Sequence, residues 1–190
     1  SGLVGSEMCI RDSHWRVHSA STADNPASKL YAYEAGKKAI EGNLARCGEE
    51  GTVTLRSDYG FYDVDYKLRG TPLVSILIPN KDQADTLRTC LESIKKKCMY
   101  PSYEILIIEN NSTEEATFSY YKELEAQGIR VLKYPKQGFN YSAINNFGVK
   151  EAKGEYLLFL NNDMEIITPD FMEKMVSNLQ RPQILSLIHI

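Results

Sequence analysis

Hydrophobic and polar positions divide the chain into stretches of different period. Asn25-Pro26 reads as a helix N-cap with proline at the first helical position, and Leu30, Tyr33, Ile40 and Leu44 then mark an amphipathic helix stopping before Gly48. Between Gly51 and Gly70, Val53, Leu55, Tyr62, Val64 and Tyr66 fall in rough alternation, which predicts one or two short antiparallel or edge strands. From Thr71 the period changes. Leu73 to Ile78 is a run rich in β-branched residues, the pattern of a strand buried on both faces. A helix with Leu87, Leu91 and Ile94 inward follows, with Asp82 placed to cap it. A second strand covers Ile105 to Ile108, and a helix runs from Glu114 to Gln127. Gly128 precedes a third strand from Ile129 to Leu132. A helix over Ser142 to Ala152 leads through Gly154 to a fourth strand, Tyr156 to Leu160. Thr168-Pro169 opens a last helix with Phe171, Met172 and Met175 inward.

Strands alternating with helices predict an α/β fold with a parallel, doubly wound sheet and helices on both faces. The expected strand order is 3-2-1-4, with a switch point between the first and fourth strands. Ligands of such sheets bind beyond the carboxyl ends of the strands. Polar clusters fall at three of those ends. Pro79-Asn80-Lys81-Asp82 follows the first strand, Glu109-Asn110-Asn111-Ser112 the second, and Asn161-Asn162-Asp163 the fourth, with Glu165 two residues on. Asn145 and Asn146 lie near the middle of the helix before the fourth strand. Each cluster alone reads equally well as a turn or a helix cap. Together at one edge, a carboxylate and several carboxamides suit a hard divalent cation that itself holds a diphosphate.

Composition narrows the classes. A 190-residue chain with net charge −3 lacks the basic footprint of a general nucleic-acid binder. Its one basic run, Lys95-Lys96-Lys97, ends a predicted helix, where it offsets the helix dipole. No stretch approaches the roughly 20 apolar residues that span a bilayer. Cys9, Cys47, Cys90 and Cys98 form no metal or redox spacing, so a reduced, cytoplasmic setting is expected. The chain carries no Gly-x-Gly-x-x-Gly after its first strand and no P-loop sequence.

At Val74 to Pro79, Tyr103 to Ser112, Ser142 to Gly148 and Gly154 to Asp163 the chain resembles the family 2 glycosyltransferases, over about residues 72 to 178. That resemblance implies a GT-A (Rossmann-like) nucleotide-diphospho-sugar fold, here a partial one preceded by a helical segment and a short β connector. It implies sugar transfer from a UDP- or dTDP-linked donor to a glycan or lipid-linked acceptor, with inversion and with Mg or Mn on the diphosphate. Pro79 and Asp82 would line the base and ribose pocket, and Glu109 or Asn110 would face the base. Asn146 would lie near the ribose and diphosphate. Asn161-Asn162-Asp163 occupies the family's Asp-x-Asp position, with Asp163 the expected metal ligand and Asn161 a second candidate. Asn161 in place of the usual first Asp removes a negative charge, and Asn145 stands where many members carry Arg. Within the family the chain looks most like bacterial enzymes that build rhamnose-containing or related surface polysaccharides, at the cytoplasmic face of a membrane.

His14-Trp15-Arg16-Val17-His18 resembles the end of a family 2 catalytic domain, where a late His completes the metal site. His18 would then belong to an upstream domain whose helical tail is 14–48, followed by a connector at 49–71 and the nucleotide-sugar-binding half of a second domain at 72–184. Residues 6–13 and 185–190 resemble translated sequencing-adapter read-through, so 1–13 and 185–190 are expected to be non-native ends of an internal fragment. The general base, a Glu-Asp motif in this family, is expected downstream of Ile190, which would leave the fragment inactive by itself. Two alternatives stand beside this reading: a nucleotidyltransferase, and a degenerate GT-A domain that binds nucleotide or a partner without turnover.

Overall fold

The structure, a computed structural model, describes residues 29–58, 60–182 and 184. Asn25-Pro26, the His14–His18 motif, Cys9 and the segments 1–13 and 185–190 lie outside the described residues. The chain forms two compact units that divide between Lys67 and Leu68.

In the first unit, helix α1 (Leu30–Cys47) ends where Gly48 takes a left-handed φ of 66° and donates its N–H to the Ala45 carbonyl. Strands β1 (Gly51–Leu55) and β2 (Tyr62–Tyr66) form an antiparallel hairpin with Val53 opposite Val64. Leu44 and Val53 are buried, and the Tyr62 hydroxyl donates to the Tyr33 carbonyl at 2.8 Å, tying hairpin to helix. The alternation in the sequence thus becomes two paired strands that pack on α1.

The second unit runs β3 (Val74–Asn80), α2 (Ala84–Lys97), β4 (Tyr103–Glu109), α3 (Glu115–Ala126), β5 (Arg130–Lys133), α4 (Tyr141–Glu151), β6 (Tyr156–Phe159) and α5 (Phe171–Leu179). The four strands are parallel in the order β5-β4-β3-β6, which is the expected 3-2-1-4 arrangement. Strand β3 is central and its burial leaves no solvent-facing side. Val74, Ile76 and Ile78 point into a layer with Leu87, Leu91 and Ile94 of α2, Tyr120, Tyr121 and Leu124 of α3, and Met172 and Val176 of α5. Leu77 points the other way, with Leu106, Ile108, Tyr134 and Ile144 of α4. The two layers follow from strand periodicity, since successive side chains leave opposite faces.

Differences from the sequence reading are small and local. Helix α5 starts at Phe171, two residues after Thr168-Pro169, and its inward positions are Met172 and Val176, one helical turn apart. Phe171 and Met175 are only half-buried. Lys95, Lys96 and Lys97 do occupy the last turn of α2. Among the described residues no helix is long and apolar enough to cross a membrane.

The amino edge of the sheet is held by a polar node. Fully buried Ser75 donates to Glu104 Oε1 at 2.6 Å and accepts from the Gly154 N–H at 2.8 Å. Glu104 also accepts from the Lys153 N–H at 2.7 Å and from Arg130 Nη2 at 2.8 Å. Burial pushes the Glu104 carboxyl up, but these hydrogen bonds and the guanidinium outweigh it, so the net shift is downward. One carboxylate thereby joins β3, β4, β5 and the approach to β6.

Helix α4 comes so close to the sheet that a Cβ on Gly148 would run into the side chains of Leu77 and Ile108, both fully buried. Gly148→Val is therefore expected to cost about 1–3 kcal/mol through overpacking, read as a lowered urea midpoint with an unchanged slope.

Candidate nucleotide site at the carboxyl edge

Backbone pairing sets the geometry of the site. Asn80 ends β3 opposite Glu109, the last residue of β4. Strand β6 stops earlier, with Phe159 opposite Leu77 and the Leu160 N–H bonded to the Leu77 carbonyl at 3.0 Å. The chain then turns through Asn161-Asn162-Asp163, the Met164 N–H reaching back to the Asn161 carbonyl at 3.4 Å. The three polar clusters predicted at the strand ends therefore do share one edge.

Side-chain hydrogen bonds connect them. Asn80 is only 2 % exposed. Its Oδ1 accepts from Asn162 Nδ2 at 2.7 Å, and its Nδ2 donates to the Tyr121 hydroxyl at 2.8 Å and to the Asp82 carbonyl at 3.0 Å. The Tyr121 and Ser112 hydroxyls lie 3.3 Å apart, and Ser112 Oγ accepts from the Asp82 N–H at 3.0 Å. One network thus runs from the loop after β6, through the end of β3, to the loop after β4.

Asp82 has a different partner from the one its sequence position suggested. The N-cap of α2 is Gln83, which makes no side-chain cap bond, and both residues have left-handed backbones, with φ of 55° and 53°. The Asp82 carboxylate instead accepts from the Thr113 N–H at 2.7 Å and the Glu114 N–H at 2.9 Å, at the start of α3. These bonds, Glu114's first, hold its carboxyl below the usual range. The cap crosses between loops because the parallel register brings the ends of β3 and β4 side by side.

Glu109 and Asn110 are each 4 % exposed. Glu109 Oε1 accepts from the Ser112 N–H at 2.5 Å, and Asn110 Oδ1 accepts from Asn111 Nδ2 at 2.9 Å. Both side chains brace their own loop, in which Asn111 takes a φ of 58°. Pro79 is half-buried within β3, and Asn146 is exposed on α4. Its neighbour Asn145 is buried, donating to the Tyr141 carbonyl at 3.0 Å while its Oδ1 has no protein partner. Asn161 and Asp163 are exposed and Asn162 half-buried. Glu165 pairs with Lys97 at 3.1 Å, and His18 lies outside the described residues. The individual role of Asn80 and the part played by Tyr121 emerge only in the folded chain. The available signal was an inward position on α3 for a tyrosine, a residue whose buried hydroxyl needs a partner.

Among the described residues no three His, Cys, Asp or Glu side chains converge as a metal site. A magnesium-type ion, however, keeps several waters and binds through one or two carboxylates plus substrate phosphates. The exposed Asp163 carboxylate and the amide oxygen of exposed Asn161 are donors of the kind that partial set needs.

The model for Glycosyl transferase family 2 matches residues 75–188. The chain is 42% identical over 171 residues to O-antigen biosynthesis protein RfbC of Myxococcus xanthus, an alignment covering 90% of this chain and 13% of that protein. It is 39% identical over 171 residues to the uncharacterized protein y4gI of Sinorhizobium fredii, covering 88% of this chain and 19% of that protein. The chain thus spans less than a fifth of the length of either relative. Mannosyltransferase PcManGT of Pyrobaculum calidifontis, solved with GDP-Man and Mn2+, shares the fold with a TM-score of 0.54 at 16% identity, over 83% of this chain and 44% of that one.

A carboxyl group held low in the folded state stabilises above its unfolded pKa, and that contribution fades as pH falls through the folded value. Asp82→Asn is accordingly expected to lower the melting temperature at pH 7. The gap to the unsubstituted chain should close below the ordinary carboxylate range, as thermal melts from pH 7 to pH 3 would show.

Proposed function

Since the chain belongs to glycosyl transferase family 2, we propose that residues 72–184 form the nucleotide-sugar-binding half of a GT-A domain. The domain transfers a sugar from a UDP- or dTDP-linked donor to a glycan or lipid-linked acceptor in cell-surface polysaccharide synthesis. The observation that carries this reading is the hydrogen-bonded convergence of three strand-end loops on the carboxyl edge, through Asn80, Asp82 and Asn162. Likeness to a protein named for O-antigen biosynthesis supports the polysaccharide assignment. The alignment with that relative reaches well beyond the residues matched by the family model. This fits residues 14–48 as the tail of an upstream transferase domain, with His18 in its metal site, and 49–71 as a connector. The setting proposed is the cytoplasmic face of a membrane, where lipid-linked acceptors are presented.

In this site Pro79 and the Asp82 loop border the base and ribose. Glu109 and Asn110 act from beneath by holding the loop that faces the base. Asn146, exposed on α4, lies toward the ribose and diphosphate. Asp163 would hold Mg or Mn, with Asn161 a second donor, and Asn162 lies toward the bound nucleotide. When bound, the cation supplies Lewis-acid stabilisation of the leaving diphosphate. The transfer is a single displacement: the acceptor oxygen bonds to the anomeric carbon as the bond to the diphosphate breaks, inverting that centre. The acceptor's proton passes to a carboxylate. Asp82 and Glu109 are engaged in holding loops and Glu165 is paired with Lys97, so none of these three is assigned that role.

Asn161 in the first position of the motif favours a second reading, a degenerate domain that binds nucleotide or a partner without turnover. The nucleotidyltransferase alternative lacks support, because the loop Asn80-Lys81-Asp82-Gln83 is neither glycine-rich nor strongly basic.

Calorimetric titration of the chain with UDP, dTDP and GDP, with and without Mn2+, tests the assignment. UDP or dTDP is expected to bind more tightly with Mn2+, and Asp163→Ala should weaken the metal-dependent part about tenfold. Equal binding with and without Mn2+ would remove the metal from the proposal, and no binding of any nucleotide would remove the donor site.

A further inference from the structure

Asn80 is the side chain that bonds directly to the Asn161–Asp163 turn from another strand, and it is almost completely buried. An asparagine side chain offers one carbonyl oxygen and two amide hydrogens. Here Oδ1 takes Asn162, while the two hydrogens serve the Tyr121 hydroxyl and the Asp82 carbonyl. Tyr121 in turn lies beside Ser112, which receives the Asp82 N–H, and the Asp82 carboxylate fixes the backbone of Thr113 and Glu114. The exposed turn carrying Asp163 and the loop after β4 are therefore linked through one buried amide. The turn's own backbone closure is a single long hydrogen bond, 3.4 Å from the Met164 nitrogen to the Asn161 oxygen, and from α2 the Cys90 thiol adds a weak contact, donating to the Asn161 carbonyl at 3.8 Å.

We propose that Asn80 is a positioning residue: its amide fixes the Asn162 side chain, and with it the turn bearing Asp163, relative to the loops that border the nucleotide base. The inference rests on the donor-site reading above. Metal and nucleotide would then bind as partners rather than independently, because both engage loops held by the same side chain. Side chains that orient metal ligands from behind commonly change metal affinity about 10–100-fold when removed. A purely structural asparagine would lower stability and leave the dependence of nucleotide affinity on metal unchanged.

The measurement is the ratio of UDP affinity with Mn2+ to UDP affinity without it, taken on the chain and on three variants whose folding is checked by thermal melts. Asn80→Ala is expected to reduce that ratio about tenfold, with metal-free UDP affinity changed far less. Asn80→Asp keeps an oxygen acceptor for Asn162 and should recover most of the ratio, even where its melting temperature is low. Tyr121→Phe removes the hydroxyl that holds the Asn80 amide, tests the same link if Asn80→Ala does not fold, and should lower the ratio by more than about twofold. An unchanged ratio in folded Asn80→Ala, or in Tyr121→Phe where the alanine variant does not fold, overturns the positioning role while leaving the donor site intact. If the unsubstituted chain binds no UDP, dTDP or GDP with or without Mn2+, the donor-site reading fails and the positioning role falls with it.

Discussion

Strand β3 is sealed by helices on both faces and by β4 and β6 along both edges, and everything else in the second unit is arranged around that burial. A strand so enclosed can carry polar side chains only where hydrogen-bond partners replace lost water, because an unmet polar group in the interior costs free energy. Its two polar side chains obey this rule at opposite ends. Ser75, near the start, is met by Glu104 and Gly154. Asn80, the last residue, is met by Asn162, Tyr121 and Asp82. The apolar middle binds the layers, and the polar ends bind the loops.

The two edges use similar chemistry for different ends. At the amino edge, Glu104 faces a serine, a backbone N–H and a guanidinium, so its charge is neutralised and the cluster closes on itself. At the carboxyl edge, the charge of Asp82 is spent on the backbone of the next loop, while Asp163 remains exposed on the turn that follows β6. Three strand-end loops at that edge are braced from below by Asn80, Glu109 and Ser112. Rigid support beneath an exposed carboxylate is what a site needs when its ligand brings much of the charge and coordination itself.

Membership of a sugar-transferring family gives this arrangement a chemical direction. Buried Glu109 and Asn110 serve the loop's conformation, whereas exposed Asn146, Asn161 and Asp163 present their polar groups to solvent. Asn145 shows the cost of the local sequence. It packs into the protein from α4 with its carbonyl oxygen unmatched, where the resemblance implied a cationic contact.

Strand and helix positions, the parallel sheet and its order were legible in the sequence because burial on two faces writes a distinctive pattern. Continuous apolar runs mark strands such as Leu73–Ile78 and Ile105–Ile108, and helical periods with breaks at Gly128 and Gly154 mark what lies between them. The chemistry-bearing loops were legible for the same reason, since each sits where an apolar run stops. Their internal partners were not. Asp82 looks like a local helix cap in one dimension, yet parallel register brings the start of α3 within its reach. Tyr121 looks like one more apolar position on α3, yet its hydroxyl meets Asn80 at a distance of 41 residues along the chain. Local composition determines which residues are buried and which are polar, whereas the pairing of strands and the crossing of helices decide which polar group meets which. A hydrogen bond is satisfied in space, so no period along the chain can name its partner.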